Sequence, residues 1–515
     1  MPCKAAQAWG GPIQPSPWAS PPWLHPANVT PRVLLPSPIP RPLRLGLAAA
    51  AIAFLAGCSA PDIRRPEAPA LPATWTSPVP EGAAAAPEFR AWWKAFHDPA
   101  LDALVDEALQ KNLDLAIAAH RLREARLQAG RAAVQFRPSF GAGARTLQDI
   151  EAADSYFHAS IDMVWELGLF GAAGSARASA AADRDAAVAD RQGARVAVVA
   201  EVVRNYLDLQ AARRQLQLLD RQAALDERAA RLAEVRRRTW TGATDEVASA
   251  GVQRARTRAA RAEPEQARAR AAQSLAVLLD RVAPDPAWYA DGPARVPALA
   301  PFAFPALPAD LLRTRPDVQA AEAAVRKAAA EVGVARSELY PRIAITGSLL
   351  YAYNLTRNRR TTSDNVPAIG PTIDIPLLDW GRRRMQVDAQ QEALQAAELS
   401  YQRTVRSAVA EAEGALSALA AQQNRADALA QARPALAERV RAADVQARLG
   451  LASEYDGLAA QRAALQAEAE WATAQDARSL AFVALYKALG GAPLPAEPPD
   501  AVTDAPPEAP SGEAP

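Results

Sequence analysis

Along two long stretches, apolar residues recur at the three-, four- and seven-residue steps of a helix face. The first covers 168–238 without a proline, with Val202, Tyr206, Leu209, Leu216 and Leu219 in one register and Leu225, Leu232 and Val235 after a shift. At about 1.5 Å per residue it predicts a rod on the order of 100 Å long, several times the diameter of an ordinary domain. The second covers 381–449, with Val387, Leu394, Tyr401, Val405, Leu416, Leu419, Leu429, Leu436 and Val440 on a similar stripe. Its only proline, Pro434, is expected to bend it or loosen its last turns. Shorter helices are predicted over 99–135, entered through Asp98 as N-cap and Pro99, and over 245–280, with a kink at Pro264.

Between helices the pattern switches to period two. Phe157, Ala159, Ile161, Met163 and Trp165 alternate with Tyr156, His158, Ser160, Asp162 and Val164. Ile343, Ile345, Leu349, Tyr351 and Tyr353 alternate with Ala344, Thr346, Ser348 and Asn354, and Ile369, Ile373 and Ile375 with Thr372 and Asp374. These positions predict strands at 156–165, 343–353 and 368–376, each with one apolar and one polar face; a weaker strand is read at 139–147.

The order of elements occurs twice. Asp114, Gly130 and Pro138 match Asp317, Gly333 and Pro341 at one step (317 − 114 = 333 − 130 = 341 − 138 = 203). Gly171 matches Gly381 (381 − 171 = 210), and Gly242, Glu246, Gln253 and Arg254 match Gly450, Glu454, Gln461 and Arg462 (450 − 242 = 462 − 254 = 208). The body is thus an internal duplication, with repeats over 91–290 and 308–491, each built as helix, two strands, long helix and returning helix. Gly242 and Gly450 stand where each rod must reverse, and glycine tolerates the positive φ of a helix end.

About ten residues per strand suits either a transmembrane β-strand or a soluble amphipathic hairpin. The N-terminal region weighs for the membrane. Arg41 and Arg44 precede an apolar run, 45–56, too short to span a bilayer, which ends in Leu55-Ala56-Gly57-Cys58 and resembles a bacterial lipobox. Residues 1–57 are read as an upstream tail and removable signal peptide, and Cys58 as the site of diacylglycerol and palmitate attachment. The resemblance to lipoprotein sorting signals implies that Ser59, rather than an aspartate, after the cysteine favours outer-membrane delivery. Residues 58–90 form a Pro/Ala linker, and 492–515 a Pro/Ala/Glu tail read as disordered. If the strands span lipid, four cannot close a barrel; closure takes at least about eight, hence an obligate oligomer.

Balanced charge, 58 basic against 57 acidic residues, excludes a nucleic-acid footprint. The triplets Arg236–Arg238 and Arg382–Arg384 read as solvated helix faces. Four histidines stand in no metal-ligand spacing, no phosphate loop or nucleophile motif is present, and no cofactor is expected beyond the lipid on Cys58. Two non-enzymatic classes fit: an outer-membrane channel, or a periplasmic lipid-anchored adaptor or coiled-coil scaffold. An adaptor would carry a single hairpin flanked by β-rich segments, whereas this chain is duplicated and sets its strands between helices.

Seven stretches in order carry a resemblance: Trp92 to Leu101, Trp165 to Gly171, Leu307 to Asp317, Tyr340-Pro341, Ile369 to Arg382, Gly450 to Asp456 and Leu485 to Gly491. Together they resemble the TolC-like outer-membrane factor family, in particular its lipidated NodT type. The resemblance implies a mostly helical fold with a transmembrane β portion: a homotrimer with a twelve-stranded barrel in the outer membrane and a twelve-helix periplasmic tunnel. It implies the exit duct of a tripartite efflux system, with a periplasmic adaptor and an inner-membrane resistance-nodulation-division transporter as partners. It also implies that the turns Gly242-Ala243-Thr244 and Gly450-Leu451-Ala452-Ser453 dock the adaptor. Asp245, Glu246, Glu454 and Asp456 beside them are either a charged periplasmic gate or first-turn acids complementing helix dipoles. Three departures from the family stand out: Gly171-Ala172-Ala173-Gly174 replaces the usual Gly-Arg after the first barrel-to-helix junction, the first tip, Thr241 to Glu246, matches the second only in part, and Ala459 stands where a second acid is common.

Overall fold

In a computed structural model the described residues are 74–79, 88–148, 155–241, 244–290, 299, 314–356, 359–360 and 367–491. Cys58, Gly242, Ala243, the upstream segment and the C-terminal tail lie outside them. A 3-10 segment, Phe89–Phe96, leads into α1 (Pro99–Lys111) and α2 (Leu113–Val134). Strands β1 (Ser139–Gln148) and β2 (Ser155–Glu166) follow, then α3 (Ala172–Arg238), α4 (Thr244–Ala260) and α5 (Ala262–Leu278). The second repeat has α6 (Pro316–Ser337), β3 (Arg342–Asn354), the two-residue β4 (Arg359–Arg360), β5 (Ala368–Asp374), α7 (Trp380–Arg448) and α8 (Glu454–Ala488).

Several local expectations change. The helix read over 99–135 is broken at Asn112, whose side chain serves two partners: Oδ1 accepts from Leu115 N–H and caps α2, while Nδ2 donates to the Leu278 carbonyl. The kink expected at Pro264 is a break at Arg261, since proline supplies no N–H to the carbonyl four residues back and its ring crowds that carbonyl. By contrast α7 stays helical through Pro434 to Arg448, so that proline costs one hydrogen bond without ending the helix. Val235 is 55% exposed rather than on the buried stripe. Helical rotation carries burial on the last turns to Asp226, Ala229 and Ala233 instead.

The two rods, 67 and 69 residues long, organise everything else. Helices α1, α2, α4 and α5 pack on α3, while α6 and α8 each pack on both α3 and α7. The main core joins the two ends of the body. Trp92 stacks on Tyr486 at 5.6 Å, and the Phe96 and Phe482 rings meet edge-on at 5.4 Å. Tyr206 of α3 donates its hydroxyl to Asp98 at 2.5 Å. Arg315, just before α6, donates to Asp317, to Glu411 of α7 and to the Ala488 carbonyl at the end of α8. Burial alone would raise the Asp317 carboxyl, but the Arg315 guanidinium holds it below its usual value.

Farther along the rods the core narrows to Leu218, Leu465 and Ala472, and charge takes over the pairing. Arg214, Arg221 and Arg228, at seven-residue steps on α3, face Asp476, Glu468 and Glu454 on antiparallel α8. The first two pairs measure 2.9 and 2.6 Å. Burial pushes the Asp476 carboxyl up to about 6, against the pull of Arg214. Asp226, fully buried, accepts from Thr257 Oγ1 of α4 at 2.6 Å, from Arg462 of α8 at 2.9 Å and from Gln222 at 3.0 Å. One carboxylate thus ties together three helices.

All strands among the described residues lie in one antiparallel sheet in the order β1-β2-β3, with β4 and β5 pairing successive parts of the far edge of β3. The four expected strands are joined by the short β4, which runs in line with β5 as one interrupted fourth strand. No helix among the described residues is long and apolar enough to cross a membrane.

Replacing Asp226 by Ala leaves Arg462 and Thr257 without their acceptor inside the bundle, and is expected to destabilise the helical region by about 3 kcal/mol. Denaturant midpoints of the detergent-solubilised protein measure this; a loss under about 1 kcal/mol would show that the node is ornamental.

Candidate functional site

Strand register decides what the sheet offers. Met163 lies opposite both Phe140 and Gly347, and Gly347 opposite Ile369. Because partners in a ladder share a face, one surface gathers Phe140, Ile161, Leu349, Ile369 and Ile373. All five are at least half exposed within the chain, and Phe140 and Ile369 are exposed to 71% and 74%.

The opposite surface is hydrogen-bonded and polar. Asp162 accepts from Ser348 Oγ at 2.6 Å and Ser160 Oγ at 2.7 Å, and the Thr346 and Thr372 hydroxyls meet at 2.9 Å. An apolar face left bare over a largely polar face suits a wall between lipid and water.

The corner from sheet to rod explains the motif from Trp165 to Gly171. Gly168, Phe170 and Gly171 all have positive φ. At Gly168 a Cβ would lie 2.5 Å from a Phe136 ring carbon, so only glycine fits. Phe170 stacks on Tyr340 at 4.8 Å, joining the corners of the two repeats. The repeat is inexact here: Gly171 precedes α3 in a left-handed conformation, whereas its match Gly381 is already the second residue of α7.

At the far end each rod closes in the same hydrogen-bonded turn. In the second, Gly450 has φ +70, Leu451 N–H donates to the Gln446 carbonyl at 2.9 Å and Gly450 N–H to Ala447 at 3.1 Å. In the first, Thr241 N–H donates to the Arg236 carbonyl at 2.9 Å and Trp240 N–H to Arg237 at 3.3 Å. There the left-handed residue is Trp240 at φ +59, not Gly242. Helix ends therefore correspond at 210 (450 − 240 = 454 − 244 = 210) rather than at the 208 of the matched side chains. Trp240 is 94% exposed and Leu451 76% exposed, so each turn presents an apolar side chain outward.

The acids at these turns are mostly engaged within the chain. Asp456 closes a capping box: it accepts from Ser453 N–H at 3.2 Å and Ser453 Oγ at 2.6 Å, while Asp456 N–H donates to Ser453 Oγ at 3.2 Å. The Ser453 hydrogen bonds hold its carboxyl below the usual aspartate range. Glu454 pairs with Arg228. Glu246 receives Arg236 Nε at 3.1 Å and Nη2 at 3.3 Å. Asp245 is exposed beside it; of Gly242, Ala243 and the Thr244 side chain nothing is described, and Ala452 sits half-buried before Ser453.

Arg236 is the residue that pattern reading overlooks. Its guanidinium reaches Glu246 of α4, lies 3.4 Å from Ser453 Oγ and sits 5.1 Å over the Tyr455 ring, joining the two turns. The triplet Arg236–Arg238 is therefore not one solvated face: Arg237 and Arg238 both reach back to Glu234, while Arg236 turns inward. Successive helical residues point about 100° apart, and that spacing was the available signal.

Comparison with known proteins places this architecture. The family model described as outer membrane efflux protein matches residues 104–281 and 307–491. The chain is 30% identical over 455 residues to the pyoverdine export outer membrane protein OpmQ of Pseudomonas putida, covering 82% of this chain and 92% of that one. It is 28% identical to nodulation protein T of Rhizobium leguminosarum bv. viciae, over 86% of this chain and 93% of that protein. The open-state crystal structure of the Neisseria gonorrhoeae MtrE outer membrane channel superimposes with a TM-score of 0.71 at 26% identity, covering 84% of this chain and 98% of that one. Matched in both halves by one family model, and in fold by a solved channel of that kind, the chain belongs to the outer membrane efflux protein family.

Proposed function

We propose that three copies of this chain pool their strands into a twelve-stranded barrel in the outer membrane and their helices into a twelve-helix tunnel across the periplasm. The protein works as the exit duct of a tripartite efflux system and conducts small molecules passively from a periplasmic adaptor and an inner-membrane transporter to the exterior. The observation that carries this reading is the sheet, with one bare apolar face, one largely polar face, and rods that leave directly from its strands. Work is done by the pump, and the duct performs no chemistry of its own. Acylation of Cys58 holds the linker at the membrane surface.

Three sets of turns converge at the far end of such a tunnel. The turns at 242–244 and 450–453 meet the adaptor, with Trp240 and Leu451 as apolar anchors. Asp245 presents an exposed carboxylate to ions, while Glu246, Glu454 and Asp456, the last two also exposed, hold the ring's shape through Arg236, Arg228 and Ser453.

Purified mature protein inserted in a planar bilayer is expected to conduct and to prefer cations, and Asp245→Ala is expected to weaken that preference. Its N-terminal fragment should carry the mass of a triacylated Cys58. A silent bilayer would overturn the channel, and an unmodified N-terminus the anchor.

Trp240 gives a sharper test of docking, because its left-handed backbone costs about 1–2 kcal/mol that glycine would not incur. Trp240→Gly should leave thermal stability unchanged or raised, yet lower efflux in a strain that depends on this duct. Undiminished efflux would remove the ring from the docking surface.

A further inference from the structure

The largely polar face of the sheet carries its charge unevenly. Among the described residues its carboxylates are Asp162, Glu166 and Asp374. Glu166 pairs with Arg342 at 3.0 Å, and Asp374 stands opposite that same arginine in the ladder. Asp162 has no such companion. One of its oxygens accepts from Ser348 Oγ at 2.6 Å and the other from Ser160 Oγ at 2.7 Å, and no described basic group lies within ion-pair distance of it. The two hydroxyls fix the carboxylate in place and leave its charge whole.

Its neighbours leave it standing clear of the sheet. The row across the strands at this level is Gly141, Asp162, Ser348 and Ala368, so Asp162 is the longest side chain of its row, and it is exposed. Arg145 shares the face but lies opposite His158, four residues from Asp162 on β2, which is about 13 Å of strand and beyond an ion pair.

The internal repeat does not copy this carboxylate. Val164 lies opposite the first residue of β1 and Asp374 opposite the first residue of β3, which sets an offset of 210 (374 − 164). Asp162 therefore corresponds to Thr372 (162 + 210), whose hydroxyl meets that of Thr346 at 2.9 Å. Each chain thus brings one carboxylate to this level and a neutral hydroxyl pair in its second repeat.

We infer that Asp162 is an ion-selecting residue of the barrel. In the trimer proposed for this chain, three such carboxylates ring the lumen partway along the strands and favour hydrated cations and protonated amines over anions of like size. The inference rests on the channel reading and adds a second station to the acids at the turns. A rod of 67 residues, about 100 Å at 1.5 Å per residue, separates the two stations, so each acts on ions independently of the other.

The test is a reversal potential in asymmetric KCl across a planar bilayer, with full-length mature protein carrying Asp245→Ala so that the turns do not mask the barrel. Adding Asp162→Asn should lower the cation-to-anion permeability ratio about twofold, and Asp162→Glu in its place should keep it. Arg145→Gln, which removes a cation from the same face, should raise it. An unchanged ratio with Asp162→Asn, or the same shift from both neutralisations, overturns the station and leaves the channel standing. A wild-type bilayer that stays silent overturns the channel and the station together.

Charge can also be put back at the same place. Asp162→Cys treated with a negatively charged, membrane-impermeant methanethiosulfonate should regain the cation preference, and the positively charged analogue should deepen its loss. Ile161→Cys, one residue away on the apolar face, should respond to neither, because successive side chains of a strand point to opposite faces. A response at Ile161→Cys with none at Asp162→Cys would exchange the two faces and refute the inference.

Discussion

An unpaired backbone N–H or C=O in hydrocarbon costs several kcal/mol, and a strand edge carries a row of them. That constraint explains more of this molecule than any single side chain. Among the described residues, one chain supplies a sheet with two raw edges and an apolar face that nothing covers. On the proposed reading, other copies pair the edges and lipid takes the face. The duplication suits that reading, because a chain that pairs β2 of one repeat with β3 of the other already carries complementary edges.

The rods face the opposite problem. In water their backbone is satisfied internally, and what must be specified is which helix lies beside which. Alanine-rich stripes leave little shape to distinguish partners, and over much of the distance between the main core and the turns the distinguishing marks are charges. The ladder of Arg214, Arg221 and Arg228 against Asp476, Glu468 and Glu454 fixes α8 on α3. The exposed rungs contribute at most about 1 kcal/mol each, so they select a register more than they stabilise it. The buried Asp226 differs, because removing it strands its partners.

Much of this was legible in the chain. Period-two alternation located the strands and assigned their faces, since a side-chain period of two leaves no freedom once one face is apolar. Proline-free heptad spacing located the rods, and equal residue offsets exposed the repeat. What escaped were contacts made by side chains that no periodicity marks. Asn112 breaks a helix because its amide finds a carbonyl 166 residues away, which no local signal encodes. The reversal of the first rod was assigned to Gly242 because glycine is the usual left-handed residue, but the backbone places Trp240 there. Arg236 was hidden in a triplet whose neighbours really are solvent-facing. Arginines seven residues apart on α3 were a usable sign of the ladder, obscured by the many other arginines along the same helices.

Amide hydrogen exchange on the assembled, lipid-embedded protein tests the central claim most directly, because it reads the backbone groups on which closure depends. If copies close the sheet, outer-edge amides of β1 and β5 should exchange as slowly as those of the internally paired β2 and β3. Fast exchange confined to β1 and β5 in an assembled particle would mean that the edges stay open, and would contradict the account at its base.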